Sequence, residues 1–165
     1  MSKKTIEMQI ADYVIQHQDS NYRLAYSIVK DPHDAQDIVQ ESITKAFSSK
    51  KSLKEPEYIK TWFYRIVVNT ALDFLRKRKK LVLSDEEMLS SQETGECDQY
   101  PNFDLQKALE DLPVDYRSVV ILRYFEDLKI EEVADVLNEN INTVKTRLYK
   151  ALQKLRITMN DLKEV

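Results

Sequence analysis

The chain has 165 residues, a net charge of −3, one glycine and four prolines. So few chain breakers favour long helices and disfavour sheets built on tight glycine turns, and we therefore expect an all-α fold. No apolar stretch reaches the ~20 residues of a membrane span, and we expect no secretory signal. A single cysteine excludes an intramolecular disulfide. The two histidines lie far from Cys97, which argues against a zinc site. We expect a cytoplasmic protein without a cofactor.

Charge is unevenly distributed along the chain. Residues 1–80 carry 15 basic and 10 acidic side chains, a net charge of +5, whereas residues 81–111 carry one lysine and nine acidic side chains, a net charge of −8. Residues 112–165 carry nine side chains of each sign. This pattern predicts two small helical domains, residues 1–80 and 103–165, joined by a flexible acidic linker at residues 81–102.

The N-terminal helices follow from apolar spacing. One or two helices are predicted over residues 5–29, with an interruption near residues 19–21. A helix over about residues 32–47 follows, because Asp31 can cap its start and Pro32 suits the first helical position. One face of this helix is apolar, and the opposite face carries four side chains that we call the acidic strip: Asp34, Asp37, Gln40 and Glu41.

Spacing alone leaves two interpretations of the acidic strip. Its carboxylates complement the positive end of the helix dipole, which is the commoner role and stabilises a helix by ~0.3–1 kcal/mol for each group. Alternatively, the strip docks a basic partner. A catalytic carboxylate pair is the least favoured interpretation, because no histidine lies at helical spacing on that face.

A long helix is predicted from Pro56 to about Lys79, after a polar loop at residues 48–56. We expect one face to be buried: Ile59, Trp62 or Phe63, Ile66, Val67, Thr70, Ala71 and Phe74. We expect the other face to be exposed: Thr61, Tyr64, Arg65, Asn69, Leu72, Asp73 and Arg76. Rings beside cations suit single-stranded DNA, although at least one of the three adjacent rings should belong to the core. The basic run at residues 76–80 is either a solvated helix end or a phosphate-binding strip.

The C-terminal segment has the pattern of a helix-turn-helix. Helical patterns begin at Phe103 and Pro113, and a helix at residues 130–137, a turn at residues 138–139 and a helix from Asn140 to about Thr158 follow. The last helix has one apolar stripe, formed by Ile141, Val144, Leu148, Ala151, Leu152 and Leu155. Residues 140–160 contain five lysines and arginines and no acidic residue. A tight turn before a basic helix is typical of DNA-binding domains, the alternative being a helical hairpin with a solvated basic face.

Motifs over about residues 20–158 occur in the order found in one known family. Tyr-Arg-Leu-Ala-Tyr at 22–26 and Asp-Ala-Gln-Asp-Ile-Val-Gln-Glu at 34–41 are similar to the start of sigma domain 2. Thr-Trp-Phe-Tyr-Arg-Ile-Val-Val-Asn at 61–69, with Asp73 and Arg76, is similar to its promoter-melting segment. Domain 4 is matched by Leu112-Pro113, Tyr116-Arg117, Leu-Arg-Tyr-Phe at 122–125 and Thr-Val-Lys-Thr-Arg-Leu at 143–148. The chain therefore resembles an extracytoplasmic-function (ECF) sigma factor, the minimal two-domain class of bacterial transcription initiation factors.

The resemblance implies a role for each surface. The acidic strip is implied to meet the clamp helices of the β′ subunit of core RNA polymerase, and the loop at residues 52–60 to hold a base flipped out of melted promoter DNA. Asn69 is the best candidate for reading a minus-ten base, because an amide can pair with a base edge. The implied minus-ten contacts are Trp62, Tyr64, Arg65, Asn69, Arg76 and Lys77. The helix from Asn140 is implied to enter the major groove of the double-stranded minus-thirty-five element, with Asn142, Thr143, Lys145, Thr146, Arg147, Tyr149 and Lys150 as its contacts and Arg147 as a phosphate contact.

The resemblance also implies a partner and shows departures. Relatives are held by an anti-sigma factor, often membrane-bound, whereas the sigma factor itself neither enters the membrane nor performs covalent chemistry. Asn138 stands where relatives often have glycine, and Asn140 stands where they often have serine; asparagine tolerates the turn and caps a helix equally well. Asn142 replaces a frequent glycine, which leaves the base preference at that position open.

Two other classes stay open from the residues alone. A helix-turn-helix repressor with an N-terminal helical sensor domain would bind palindromic DNA as a dimer without polymerase, and it would leave the basic aromatic helix without a role. A metal-dependent enzyme would use Asp34, Asp37 and Glu41, but the sequence offers no second cluster of ligands.

Overall fold

The computed structural model describes residues 4–84 and 103–163, and every regular element in these two ranges is a helix. The N-terminal domain contains α1 (Ile6–Gln16), α2 (Gln18–Val29), α3 (Pro32–Ser48), short 3-10 turns at Lys50–Ser52 and Pro56–Tyr58, and α4 (Ile59–Ser84). The C-terminal domain contains α5 (Phe103–Asp111), α6 (Val114–Val120), a π-helical turn (Ile121–Phe125), α7 (Ile130–Leu137) and α8 (Ile141–Lys163). The predicted all-α fold is confirmed, whereas residues 85–102 of the predicted linker lie outside the described residues. Across these helices, no segment is long and apolar enough to cross a lipid bilayer.

Local signals place most helix ends. Asp31 caps α3 by accepting a hydrogen bond from the backbone N–H of Asp34 at 2.9 Å, and Pro32 occupies the first turn, both as predicted. The break between α1 and α2 falls at His17, slightly before the predicted interruption. The long helix α4 begins at Ile59 rather than Pro56, because residues 56–58 form a 3-10 turn, and it runs past Lys79 to Ser84.

Helix α4 is the central element of the N-terminal domain. It packs against α2 and α3, where Leu24, Ile38, Phe63 and Val67 are buried. A further side of α4 is covered by α7 of the C-terminal domain. Because α4 is covered on several sides, more of its surface is buried than the single apolar face of an ordinary amphipathic helix.

The predicted exposed face of α4 is therefore partly wrong. Thr61 is 8% exposed and Tyr64 is 1% exposed, and Leu72 is half-buried. Of the three adjacent rings, Phe63 is fully buried and Trp62 is half-buried. Tyr64 is thus a core residue in this arrangement of the two domains.

The C-terminal domain packs α6, α7 and α8 around Val119, Leu122, Val133 and Val144, all of which are fully buried. The predicted stripe of α8 is buried at Val144, Ala151 and Leu155 and half-buried at Leu148, but Ile141 and Leu152 are each 39% exposed. Helix α2 contacts α6, and the buried residues of the two domains join into one cluster.

Candidate nucleic-acid and polymerase interfaces

The acidic strip lies on the outer face of α3. Asp37, Gln40 and Glu41 are exposed, whereas Asp34 is half-buried and pairs with Arg78 in the C-terminal third of α4 at 3.2 Å. Burial raises the pKa of the Asp34 carboxyl, and Arg78 partly opposes this effect. Glu41 lies 3.8 Å from Lys45 on the same helix, a contact between exposed groups that contributes little. Asp37 takes part in none of the ion pairs formed within residues 4–84 and 103–163.

The acidic strip was also considered as a possible set of metal ligands. Within the described ranges, no group of three or more His, Cys, Asp or Glu side chains is placed to hold a metal ion. The strip extends along the surface of α3, and its carboxylates therefore do not converge on one point.

The exposed face of α4 carries a row of polar and basic groups. Arg65, Asn69 and Arg76 are exposed as predicted, and Lys77 is also exposed. Arg76 pairs with Asp73 one turn away at 2.9 Å. Trp62 donates a hydrogen bond from its ring nitrogen to the Ser52 hydroxyl at 2.8 Å, which fastens the preceding loop to the helix.

An open cavity of about 430 Å³, lined by polar residues and by Ile66, lies between α3 and α4, beside Asn69. Sequence reasoning missed the residues that line it together with Asn69: Thr44, Lys45, Ser48, Ser49, Ile66 and Thr70. Lys45 donates from its ammonium to the Thr70 hydroxyl at 3.1 Å across this cavity. The available signal was the run of polar residues along the flank of α3 beside its acidic strip. The cavity places an amide, hydroxyls and a cation where they can contact a polar ligand.

The helix-turn-helix forms as predicted. Asn138 takes the left-handed conformation, with φ 53° and ψ 48°, and so lets the chain turn after α7. Asn140 caps α8 by accepting a hydrogen bond from the backbone N–H of Asn142 at 2.8 Å. The exposed surface of α8 is formed by Asn142, Lys145, Thr146, Tyr149 and Lys150. Thr143 and Arg147 are half-buried, and Arg147 pairs with Glu139 of the turn at 3.3 Å, which places its guanidinium at the helix start.

Comparison with known proteins identifies the family. The models for sigma-70 region 2 and sigma-70 region 4 match residues 13–81 and 102–155. The ECF RNA polymerase sigma factor SigW of Bacillus subtilis is 29% identical over 97% of this chain and 94% of SigW. The RNA polymerase sigma factor SigV of the same organism is 50% identical over 162 residues, or 97% of this chain and 98% of SigV. The chain belongs to the ECF sigma factors.

Solved structures agree on the fold of this sigma factor. RpoE from Bartonella quintana, in complex with the anti-sigma factor NepR, matches with a TM-score of 0.78 and 22% identity over 91% of this chain and 96% of that one. CnrH, in complex with the cytosolic domain of CnrY, matches with a TM-score of 0.66 and 21% identity over 92% of this chain and 88% of that one. The acidic strip and the exposed face of α4 lie within the region 2 match, and the exposed face of α8 lies within the region 4 match.

Proposed function

We propose that this sigma factor directs promoter-specific initiation in the cytoplasm by recruitment, without covalent chemistry of its own. The acidic strip docks on the β′ clamp helices of core polymerase, α4 binds the minus-ten element and α8 binds the minus-thirty-five element. The observation that carries the proposal is the exposed surface of α8, which presents polar and cationic side chains from a capped helix after a tight turn. When polymerase holds α4 and α8 together, binding of one helix to DNA raises the effective concentration of the other at its own element. Neither helix therefore needs high affinity for DNA alone.

The minus-ten proposal rests on α4. Arg65, Asn69, Arg76 and Lys77 are all exposed, and Asn69 borders the open cavity between α3 and α4. A base that leaves the stack loses stacking energy, which a cavity with polar groups and a nearby indole can offset. We assign base reading to Asn69, backbone contacts to the three cations and stacking to Trp62. Tyr64 is buried with its hydroxyl bonded to Glu126, so a contact of its ring with DNA requires at least this bond to break.

Control by an anti-sigma factor is part of the proposal. RpoE from Bartonella quintana and CnrH were both solved as complexes, the first with the anti-sigma factor NepR and the second with the cytosolic domain of CnrY. By likeness, we propose that this sigma factor is held by a membrane-bound anti-sigma factor that covers its polymerase-binding and DNA-binding surfaces.

Run-off transcription tests the function. Purified chain and core RNA polymerase are incubated with fragmented DNA of the source genome, and transcript starts are mapped by sequencing. The proposal expects a set of starts that depend on the chain and share two spaced upstream elements. Polymerase-independent binding of the chain to palindromic DNA as a dimer, with no dependent transcripts, would instead favour the repressor.

Lys145 and Lys150 are expected to contact phosphates through α8. The logarithm of the binding constant falls as the logarithm of the salt concentration rises. Lys145→Ala and Lys150→Ala should each make this slope less steep by about 0.9, because each variant loses one phosphate contact and so releases one counterion fewer on binding. The double variant should reduce the steepness by about twice that. Fluorescence anisotropy with a 20-base-pair duplex over a range of salt measures the slope. Lys107→Ala, an exposed lysine on α5, is the matched control and should leave the slope unchanged. Equal slopes for all variants would remove α8 from the DNA interface.

A further inference from the structure

The indole of Trp62 is held by a short chain of hydrogen bonds. Its ring N–H donates to the Ser52 hydroxyl at 2.8 Å, and this hydroxyl donates to the Ser49 backbone carbonyl at 2.7 Å. An indole nitrogen can only donate, whereas a hydroxyl accepts one hydrogen bond and donates another. Hydrogen bonds in such a chain polarise one another, so each strengthens the next. The Ser52 hydroxyl therefore links the ring to the backbone of the preceding turn.

The turn that carries this hydroxyl is itself fixed at both ends. Ser52 is the last residue of the 3-10 turn Lys50–Ser52. At the start of the turn, the Lys50 ammonium pairs with the Glu7 carboxylate on α1. Directly after the turn, Leu53 is 4% exposed and packs in the core of the N-terminal domain. These contacts hold the Ser52 hydroxyl in one place relative to α4.

Trp62 lies on the stripe of α4 that lines the open cavity between α3 and α4. Ile66 and Asn69 line this cavity, and they follow Trp62 by four and seven residues on the same helix. Residues at these spacings share one side of a helix. On the α3 side, Ser49 lines the cavity and Ser52 follows it by three residues. The bond between Trp62 and Ser52 thus joins α4 to the turn after α3, one helical turn beyond the cavity.

The hydrogen bond fixes the orientation of a ring that is still partly open to solvent. Trp62 is half-buried, so part of the indole remains exposed for stacking. A side chain that rotates freely before binding loses this freedom when a base stacks on it, and the loss lowers the affinity. A ring that is already held in its bound orientation has lost this freedom during folding, so its affinity for the base is higher. Ser52 produces this effect without any contact of its own with DNA.

We propose that Ser52 is a positioning residue, which holds the Trp62 indole in the orientation that stacks on an unpaired base of the minus-ten strand. The inference rests on the proposed function where it assigns stacking to Trp62. Ser52 acts through its hydroxyl on the indole N–H, and the contacts of Lys50 and Leu53 keep that hydroxyl in place. A variant that lacks the hydroxyl should fold normally, because Ser52 is exposed, but it should hold the indole less firmly and bind the melted strand less tightly.

Fluorescence of the free chain tests whether Ser52 holds the ring. Trp62 is the only tryptophan in the sequence, so the emission reports this side chain alone. Time-resolved anisotropy separates local motion of the ring from tumbling of the whole molecule. Ser52→Ala should increase the amplitude of the local motion, whereas Ser52→Thr, which keeps the hydroxyl, should match the wild type. Ser27→Ala is the matched control and should change nothing, because the Ser27 hydroxyl also donates to a carbonyl three residues earlier, that of Leu24 at 2.6 Å, but belongs to α2.

Binding of the holoenzyme to a minus-ten single strand, taken from a mapped promoter, tests the effect on recognition. Ser52→Ala should weaken this binding by about 3- to 10-fold, because one large side chain must then be ordered on binding. Ser52→Thr and Ser27→Ala should bind as the wild type does. Trp62→Phe keeps a flat ring but lacks the N–H donor, so Ser52→Ala should have no further effect in a Trp62→Phe background.

The outcomes separate the role of Ser52 from that of Trp62. Equal losses from Ser52→Ala in both backgrounds would mean that Ser52 contacts DNA itself, and would overturn the positioning role. Unchanged ring motion or unchanged binding in Ser52→Ala would overturn it as well. Trp62→Leu fills the half-buried site without a ring that can stack. If Trp62→Leu binds as tightly as the wild type, stacking by Trp62 is refuted and the role of Ser52 with it. If Trp62→Leu binds weakly and Ser52→Ala binds normally, only the role of Ser52 is refuted.

Discussion

Reversing the charge of Asp37 should weaken binding of the sigma factor to core RNA polymerase by about 10- to 100-fold. Asp37 is exposed on α3 and forms no ion pair within the described ranges, so Asp37→Lys removes an available carboxylate without breaking an internal contact. Like charges brought together at an interface cost several kcal/mol, and tenfold corresponds to about 1.4 kcal/mol. Competition binding to core polymerase with labelled wild-type chain measures the loss, which should shrink as salt is raised.

Asp19→Lys is the matched control for this reversal. Asp19 lies in the first turn of α2, in the same domain, and is also exposed, so the net charge changes equally on a different face. Both variants should unfold within a few degrees of the wild type, because neither changes a buried group. Equal loss of polymerase binding in the two variants would mean that overall charge matters rather than the acidic strip. No loss in either would move the docking surface away from α3.

Local sequence was sufficient to predict a helix start or a turn where a single side chain determines the backbone conformation. Asp31 and Pro32 predicted the start of α3, because one accepts from a free N–H and the other needs no donor in the first turn. Asn138 and Asn140 predicted the turn and the cap of the helix-turn-helix in the same way. These signals lie within a few residues of the structure that they determine.

Sequence was insufficient where burial depends on the other domain. Periodicity assigns one buried face to a helix, but α4 is covered by α2 and α3 and also by α7. Tyr64 is buried as well, and its hydroxyl donates to Glu126 of the C-terminal domain. Arg23 also donates to Glu126, 103 residues away in sequence, and no local pattern connects them. An acidic residue after an apolar run reads as a surface group, because carboxylates are rarely buried without a partner. The interdomain ties are therefore visible only in the folded chain.

Of the three adjacent rings of α4, Phe63 is the one whose removal should destabilise the fold most. Phe63 is fully buried and packs edge-on to Tyr13, with ring centroids 5.8 Å apart. Phe63→Ala should lower the free energy of unfolding by about 3–5 kcal/mol, since it removes buried apolar surface and leaves a cavity between packed helices. Urea unfolding followed by circular dichroism measures this loss through the transition midpoint.

Tyr58→Ala is the matched control, because Tyr58 precedes the same helix and is 61% exposed. Removing an exposed ring should change the unfolding free energy by no more than about 0.5 kcal/mol. A large loss in Phe63→Ala beside a negligible one in Tyr58→Ala would show that α4 is anchored through Phe63. Similar small losses in both would mean that the ring of Phe63 does not pack in the core.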